Sequence, residues 1–159
     1  MRSITIAAND DLPRLFDIWE ASVQATHDFL HPDDFLLLVP IVERTLREFT
    51  PLHCVRDETG QPCAFIGVSG GMIEMLFVDP QHRGKGAGRA LVEFAIAQLK
   101  ATQVDVNEQN RQALGFYERM GFAVAGRSEQ DPFGKPYPIL HLELTEPLRS
   151  SRSVEDLPA

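Results

Sequence analysis

One stretch constrains this chain more than any other. Residues 72–99 read MIEMLFVDPQHRGKGAGRALVEFAIAQL. An apolar strand runs up to Pro80, which stops it. Three cations, Arg83, Lys85 and Arg89, then alternate with three glycines, Gly84, Gly86 and Gly88. Directly afterwards Leu91, Val92, Ala95, Ile96 and Leu99 fall at helical spacing. A strand delivered through a glycine turn into an amphipathic helix calls for a sheet with helices packed on it. It also concentrates positive charge in a chain whose formal net charge is -8.

The chemistry of such a turn is anion binding. The first N–H groups of a helix lack intrahelical acceptors, and the helix dipole adds partial positive charge there. Glycine lets the backbone approach phosphate oxygens without a Cβ in the way. A diphosphate suits this arrangement, with Arg83, Lys85 and Arg89 supplying attraction. A P-loop would need GxxxxGK[ST], which GKGAGRAL does not provide. A dinucleotide turn would need GxGxxG or GxGxxA. The frame from Gly84 ends on Arg89 and the frame from Gly86 ends on Leu91, so both fail. What the residues do fill is R-x-x-G-x-G, with Arg83, Gly86 and Gly88.

The rest of the chain supplies the sheet. SITIAA alternates as a strand, and Asn9 or Asp10 can cap the helix that follows. Leu12, Leu15, Phe16, Trp19 and Val23 mark that helix. Phe35, Leu38, Val42, Leu46 and Phe49 mark a second, which Pro40 is expected to kink or divide. LHCVRD and CAFIGVSG read as a hairpin around DETGQP. QVDVNE is a strand, NRQALGFYERMG a short helix stopped at Gly121, and FAVAGRSE and PILHLELT are the last strands. The order is β, α, α, β, β, β, α, β, α, β, β: an α/β chain with a mixed sheet. Residues 1–146 are expected to form one domain, and 147–159 a flexible tail.

Several classes of function are disfavoured. Acidity argues against nucleic acid as a partner. No apolar run reaches the ~18 residues of a membrane span and no signal-peptide core is present, so a cytoplasmic protein is expected. Cys54 and Cys63 suit buried, reduced thiols, and the five histidines show no zinc spacing, so no metal is expected.

LFVDPQHRGKGAGRALVEFA, followed by NEQNRQALGFYERMGF, resembles the GNAT superfamily of acetyl-CoA-dependent N-acyltransferases. The resemblance spans about residues 3–144 and is strongest over 74–96 and 107–123. ATHDFL and GKPYP are also similar to segments of small bacterial members, some regarded as protein-lysine acetyltransferases. It implies a mostly antiparallel sheet of about seven strands with four helices. A central parallel pair, MIEMLFVDP and QVDVNE, would splay to admit acetyl-CoA as cosubstrate. It maps the pyrophosphate loop onto Arg83, Gly84, Lys85, Gly86, Ala87, Gly88 and Arg89. Pantetheine contacts map onto the backbone of Leu76, Phe77 and Val78, and a further cofactor contact onto Asn110. It leaves a homodimer open.

The same resemblance gives Tyr117 the role of general acid to the departing thiolate. The acceptor is expected to be a primary amine: a protein lysine, an N-terminus or a small molecule. A lysine ammonium near pKa ~10.4 needs roughly 4–5 kcal/mol to expose its lone pair at pH 7, so a base or water chain is required. Glu74, on the strand before the glycine turn, is the first candidate. Asp105 and His27 are the alternatives. The acceptor site is expected between THDFLHPDD and QDPFGKPYP, with His27 and Tyr137 as wall residues and Asp28, Asp33, Asp34 and Asp131 favouring a cation. Two other readings compete: a GNAT-fold sensor that holds acyl-CoA with little turnover, and an oxidoreductase, which the failed dinucleotide spacing disfavours.

Overall fold

A computed structural model describes residues 3–26 and 28–145. Its elements are β1 (Ile4–Ile6), α1 (Leu12–Thr26), α2 (Pro32–Glu48), β2 (His53–Arg56), β3 (Pro62–Ser69), β4 (Met72–Val78), α3 (Ala87–Gln98), β5 (Gln103–Asn107), α4 (Arg111–Arg119), β6 (Phe122–Ser128) and β7 (Ile139–Leu144). The strands form a seven-stranded sheet in the order β1-β2-β3-β4-β5-β7-β6. The mixed sheet of seven strands and four helices expected from the sequence is therefore present. Its parallel pair is β4 with β5. The tail at 147–159 lies outside the described residues. Within the span expected as one domain, the chain divides into two compact units. The first combines the residues up to Gly67 with Met75–Leu91, and the second combines Val68–Glu74 with the residues from Val92 onward.

The first unit packs α1 and α2 on its strands. Leu15, Ile18, Trp19 and Val23 of α1 are buried with Leu46, Leu52, Cys54 and Phe65. Phe35, Leu38, Val39 and Val42 of α2 pack against that cluster, and Trp19 stacks on Phe35 with ring centroids 5.4 Å apart. This stripe explains why Pro40 does not divide α2. Proline removes one hydrogen bond, but the apolar contacts on both sides of it keep the helix running from Pro32 to Glu48. The start of α1 also differs from expectation. Residues 9–11 form a 3₁₀ turn, and Asp11 reaches back to the Ala8 N–H at 2.8 Å. Neither Asn9 nor Asp10 caps the helix. Arg56 of β2 then grips both oxygens of Asp11, at 3.1 and 2.9 Å.

The approach to the glycine turn is fixed from Asp79, which is buried. Its Oδ2 accepts from Arg14 Nη2 at 2.6 Å and its Oδ1 from the Gln81 N–H at 3.0 Å. Its own N–H donates to the Cys63 carbonyl at 2.9 Å. Arg14 Nε meanwhile donates to the Pro62 carbonyl at 2.9 Å. Burial raises the Asp79 carboxyl, but the hydrogen bonds from Arg14 and Gln81, with the nearby charges of Arg14 and His82, outweigh it and hold the pKa below the usual carboxylate range.

The second unit shows strict strand alternation. Val104 and Val106 of β5, Leu140 and Leu142 of β7 and Phe122 of β6 are buried. The residues between them, Asp105 and His141, sit on the opposite face and pair directly across β5 and β7.

The Asp79 arrangement makes a stability prediction. A depressed carboxylate pKa stabilises the fold above the unfolded value and loses that contribution as pH falls through the folded value. Asp79→Asn is expected to lower unfolding free energy at neutral pH by about 1–3 kcal/mol. The gap from the parent protein should close below about pH 4. Denaturant titrations across pH check both; a gap independent of pH would contradict the assignment.

Candidate active site

The glycine turn sits where the sequence places it. β4 ends at Val78, a 3₁₀ turn spans Pro80–His82, and α3 opens at Ala87. Gly84 has φ 75° and Gly86 φ 87°, both left-handed. Side chains adopt that region rarely, so these two glycines are required by the backbone path. The Gly86 carbonyl accepts the Ala90 N–H at 3.0 Å, which closes the first turn of α3. Lys85 and Arg89 are exposed and Arg83 half-buried. Ala87 is buried, so the helix begins flush against the protein, while Gly84, Lys85 and Gly86 just before it are exposed. This is an anion-binding geometry.

Leu76, Phe77 and Val78 lie on β4 just before this turn and are half-buried. Phe77 packs on Phe65 with ring centroids 5.7 Å apart. Those three residues and the whole turn from Arg83 to Arg89 belong to the first unit.

The first unit also carries a cavity of about 370 Å³ at the α1–α2 connection. Val23, Leu30, Pro32, Phe35 and Leu36 give it apolar walls, while Gln24 and Asp28 are polar. The sequence expects an acceptor wall here. His27 lies outside the described residues.

Glu74, Asp105, Asn110, Tyr117 and Tyr137 belong to the second unit. β4 pairs with β5 at Met72↔Gln103 and Ile73↔Val104, so Glu74 and Asp105 each follow the paired positions by one residue. Partial desolvation raises the Glu74 carboxyl, and the negative charge of Asp105 raises it further. Asp105 is engaged elsewhere: its Oδ1 meets His141 Nδ1 at 2.8 Å.

Asn110 caps α4. Its Oδ1 accepts the Ala113 N–H at 3.1 Å, so the oxygen has a structural duty that the motif does not announce. Tyr117 is buried at 6% exposure, edge-on to Phe116 and Phe122 at 5.1 and 5.7 Å between centroids. Burial pushes its phenol pKa well above the ordinary value, so it stays a neutral donor.

Tyr137 is buried in the loop before β7. Asp131 organises that loop: its Oδ1 accepts the N–H groups of Phe133 and Lys135, both at 2.9 Å. One oxygen of its carboxylate therefore serves its own turn.

Sequence reasoning missed His141 and Ser128. His141 counted only as one of five histidines without metal spacing. Its place between Leu140 and Leu142 was readable from alternation, but its partners lie 36 and 13 residues away. Among the described residues, no group of three or more His, Cys, Asp or Glu side chains could hold a metal ion.

Comparison with known proteins agrees with this fold. A family model described as an acetyltransferase (GNAT) domain matches residues 50–124. The peptidyl-lysine N-acetyltransferase YjaB of Escherichia coli K12 is 45% identical over 140 residues, covering 88% of this chain and 95% of that one. Its Salmonella typhimurium namesake is 42% identical over 142 residues, covering 89% and 97%. The solution structure of apo YjaB from Escherichia coli superposes with TM-score 0.85 at 43% identity, covering 91% and 98%. A PaiA N-acetyltransferase from Thermoplasma acidophilum, solved with coenzyme A, shares the fold at TM-score 0.68 and 15% identity, covering 90% and 99%. With relatives this similar along nearly its whole length, the chain belongs to the GNAT acetyltransferase family.

Proposed function

We propose that this protein transfers the acetyl group of acetyl-CoA to the side-chain amine of a protein lysine, by direct attack on the thioester, in the cytoplasm. The observation that carries the reading is the left-handed glycine turn feeding α3. Backbone N–H groups, the helix dipole and Arg83, Lys85 and Arg89 together suit the coenzyme's diphosphate. Leu76, Phe77 and Val78 would meet pantetheine through their main chain, as strand addition does. Lysine as acceptor is supported by the peptidyl-lysine relatives. The apolar cavity beside α1 and α2, with Asp28 at its wall, suits a long aliphatic stem ending in a cation.

In this reading the chemistry divides between two side chains. Tyr117 donates to the sulfur as the thiolate leaves. Glu74 takes the ammonium proton, directly or through water. Its raised pKa moves it towards neutral pH, where a base accepts protons best. Asp105, bonded to His141, serves by its charge.

The test is acetylation of lysine peptides with purified protein, read by mass spectrometry and coenzyme A release. Acetyl-CoA that binds without turnover on any amine would leave a sensor module. Gly86→Val is expected to abolish acetyl-CoA binding by calorimetry while circular dichroism stays unchanged, since valine is strained at a φ of 87°. Tyr117→Phe should keep coenzyme affinity and lower kcat by about 10²–10⁴-fold; an unchanged kcat removes it from the mechanism. For the base, the rate should fall as pH drops through the raised Glu74 pKa. Asp105→Asn should bring the Glu74 titration down, yet not to an ordinary glutamate, because desolvation is the larger cause. Carbon-13 NMR of the carboxyl reads this directly.

A further inference from the structure

The second unit carries a hydrogen-bonded trio of which amine transfer uses only the charge of Asp105. Ser128 Oγ lies 2.7 Å from His141 Nε2, and His141 Nδ1 lies 2.8 Å from Asp105 Oδ1. The three side chains come from adjacent strands, β6, β7 and β5. Strand register sets the pairing, because Asp105 sits directly opposite His141. A carboxylate at Nδ1 requires a proton on that nitrogen, which leaves Nε2 as the acceptor for the serine hydroxyl. That is the order of nucleophile, base and orienting acid found where serine is activated.

Accessibility and electrostatics agree. The side chains of His141 and Asp105 are 41% and 43% exposed, and Ser128 is half-buried, so a small acyl donor can reach them. An imidazolium formed at His141 would be paired with Asp105. Two further carboxylates stand close by: Glu143 two residues along β7, and Glu74 on β4, which feels the charge of Asp105. β6 ends the strand order, and the outward N–H groups of an edge strand are available to an oxyanion.

We propose that Ser128, activated by His141 and Asp105, is a second nucleophilic site that accepts acyl groups from activated esters. The Oγ–H bond breaks and its proton passes to Nε2. The Oγ–carbonyl bond forms, the ester C–O bond breaks, and the alcohol leaves with the proton from the imidazolium. Water then attacks the acyl-serine, giving its proton to Nε2 and releasing a carboxylic acid as Ser128 recovers its hydrogen.

The probe is p-nitrophenyl acetate, which needs no coenzyme, so the result stands apart from the fate of the lysine reading. Peptide mapping after brief exposure should find one acetyl group on Ser128. Ser128→Ala should lack it, while Ser128→Cys should still be acylated, which controls for folding. His141→Gln and Asp105→Asn should each slow acylation about 10²–10⁴-fold. Acetyl found only on lysines, or equal acylation rates in the parent and the His141 variant, would overturn the proposal and leave the trio as a cross-strand tie.

Discussion

The ion pair of Arg14 with Asp79 is the constraint on which the glycine turn depends. A turn with two left-handed glycines has little to hold it in place by itself. Asp79 supplies the anchor by doing three jobs at once. Its backbone bonds β3 through Cys63, one oxygen caps the turn that follows, and the other takes the Arg14 guanidinium from α1. Arg14 in turn ties to the β3 chain at Pro62. A buried carboxylate is tolerated only when its lone pairs are met in this way. His82 shows the tightness of the site: its Nδ1 is buried 3.5 Å from the same carboxylate without a hydrogen bond. A carboxylate in a hydrophobic strand end thus sets where a basic loop begins.

The second unit shows what alternation can hide. β5 and β7 each present valines or leucines to the core, and these make the strands. The intervening residues look like solvent-facing polar positions. Register turns them into a system, since a direct cross-strand pair brings Asp105 against His141. Glu74 then titrates in the field of Asp105, and Ser128 closes the row at the sheet edge. Each member is unremarkable alone.

Much of this was legible in the sequence, and the divide is physical. Periodicity located the seven strands and four α-helices of the described residues, because core-facing residues recur at fixed spacing. The glycine turn was legible because its meaning is local: two left-handed residues and a helix start are written in nine consecutive positions. Caps were less legible. Asp11, three residues beyond Ala8, reaches back to the Ala8 N–H, where the sequence offered Asn9 or Asp10 as caps for the helix itself. Pro40 does not divide α2, because tertiary packing outweighs a local defect. The turn-forming role of Asp131 was not legible, because it depends on how its neighbours' N–H groups are turned. The trio was invisible because a 36-residue separation says nothing of adjacency until register is known.

Tyr117 sharpens the reaction itself. A thiol has an ordinary pKa near about 8.5 and a phenol near about 10, so full proton transfer from tyrosine to a thiolate is uphill already. Burial between Phe116 and Phe122 raises the phenol further, which makes complete transfer harder still. The same burial lowers the local dielectric and strengthens a hydrogen bond to charge developing on sulfur. In the proposed reaction, then, Tyr117 contributes more as a fixed donor to the departing sulfur than as a group that surrenders its proton. The proton the sulfur finally needs can come from the amine side, where one must be removed for every acetyl transferred.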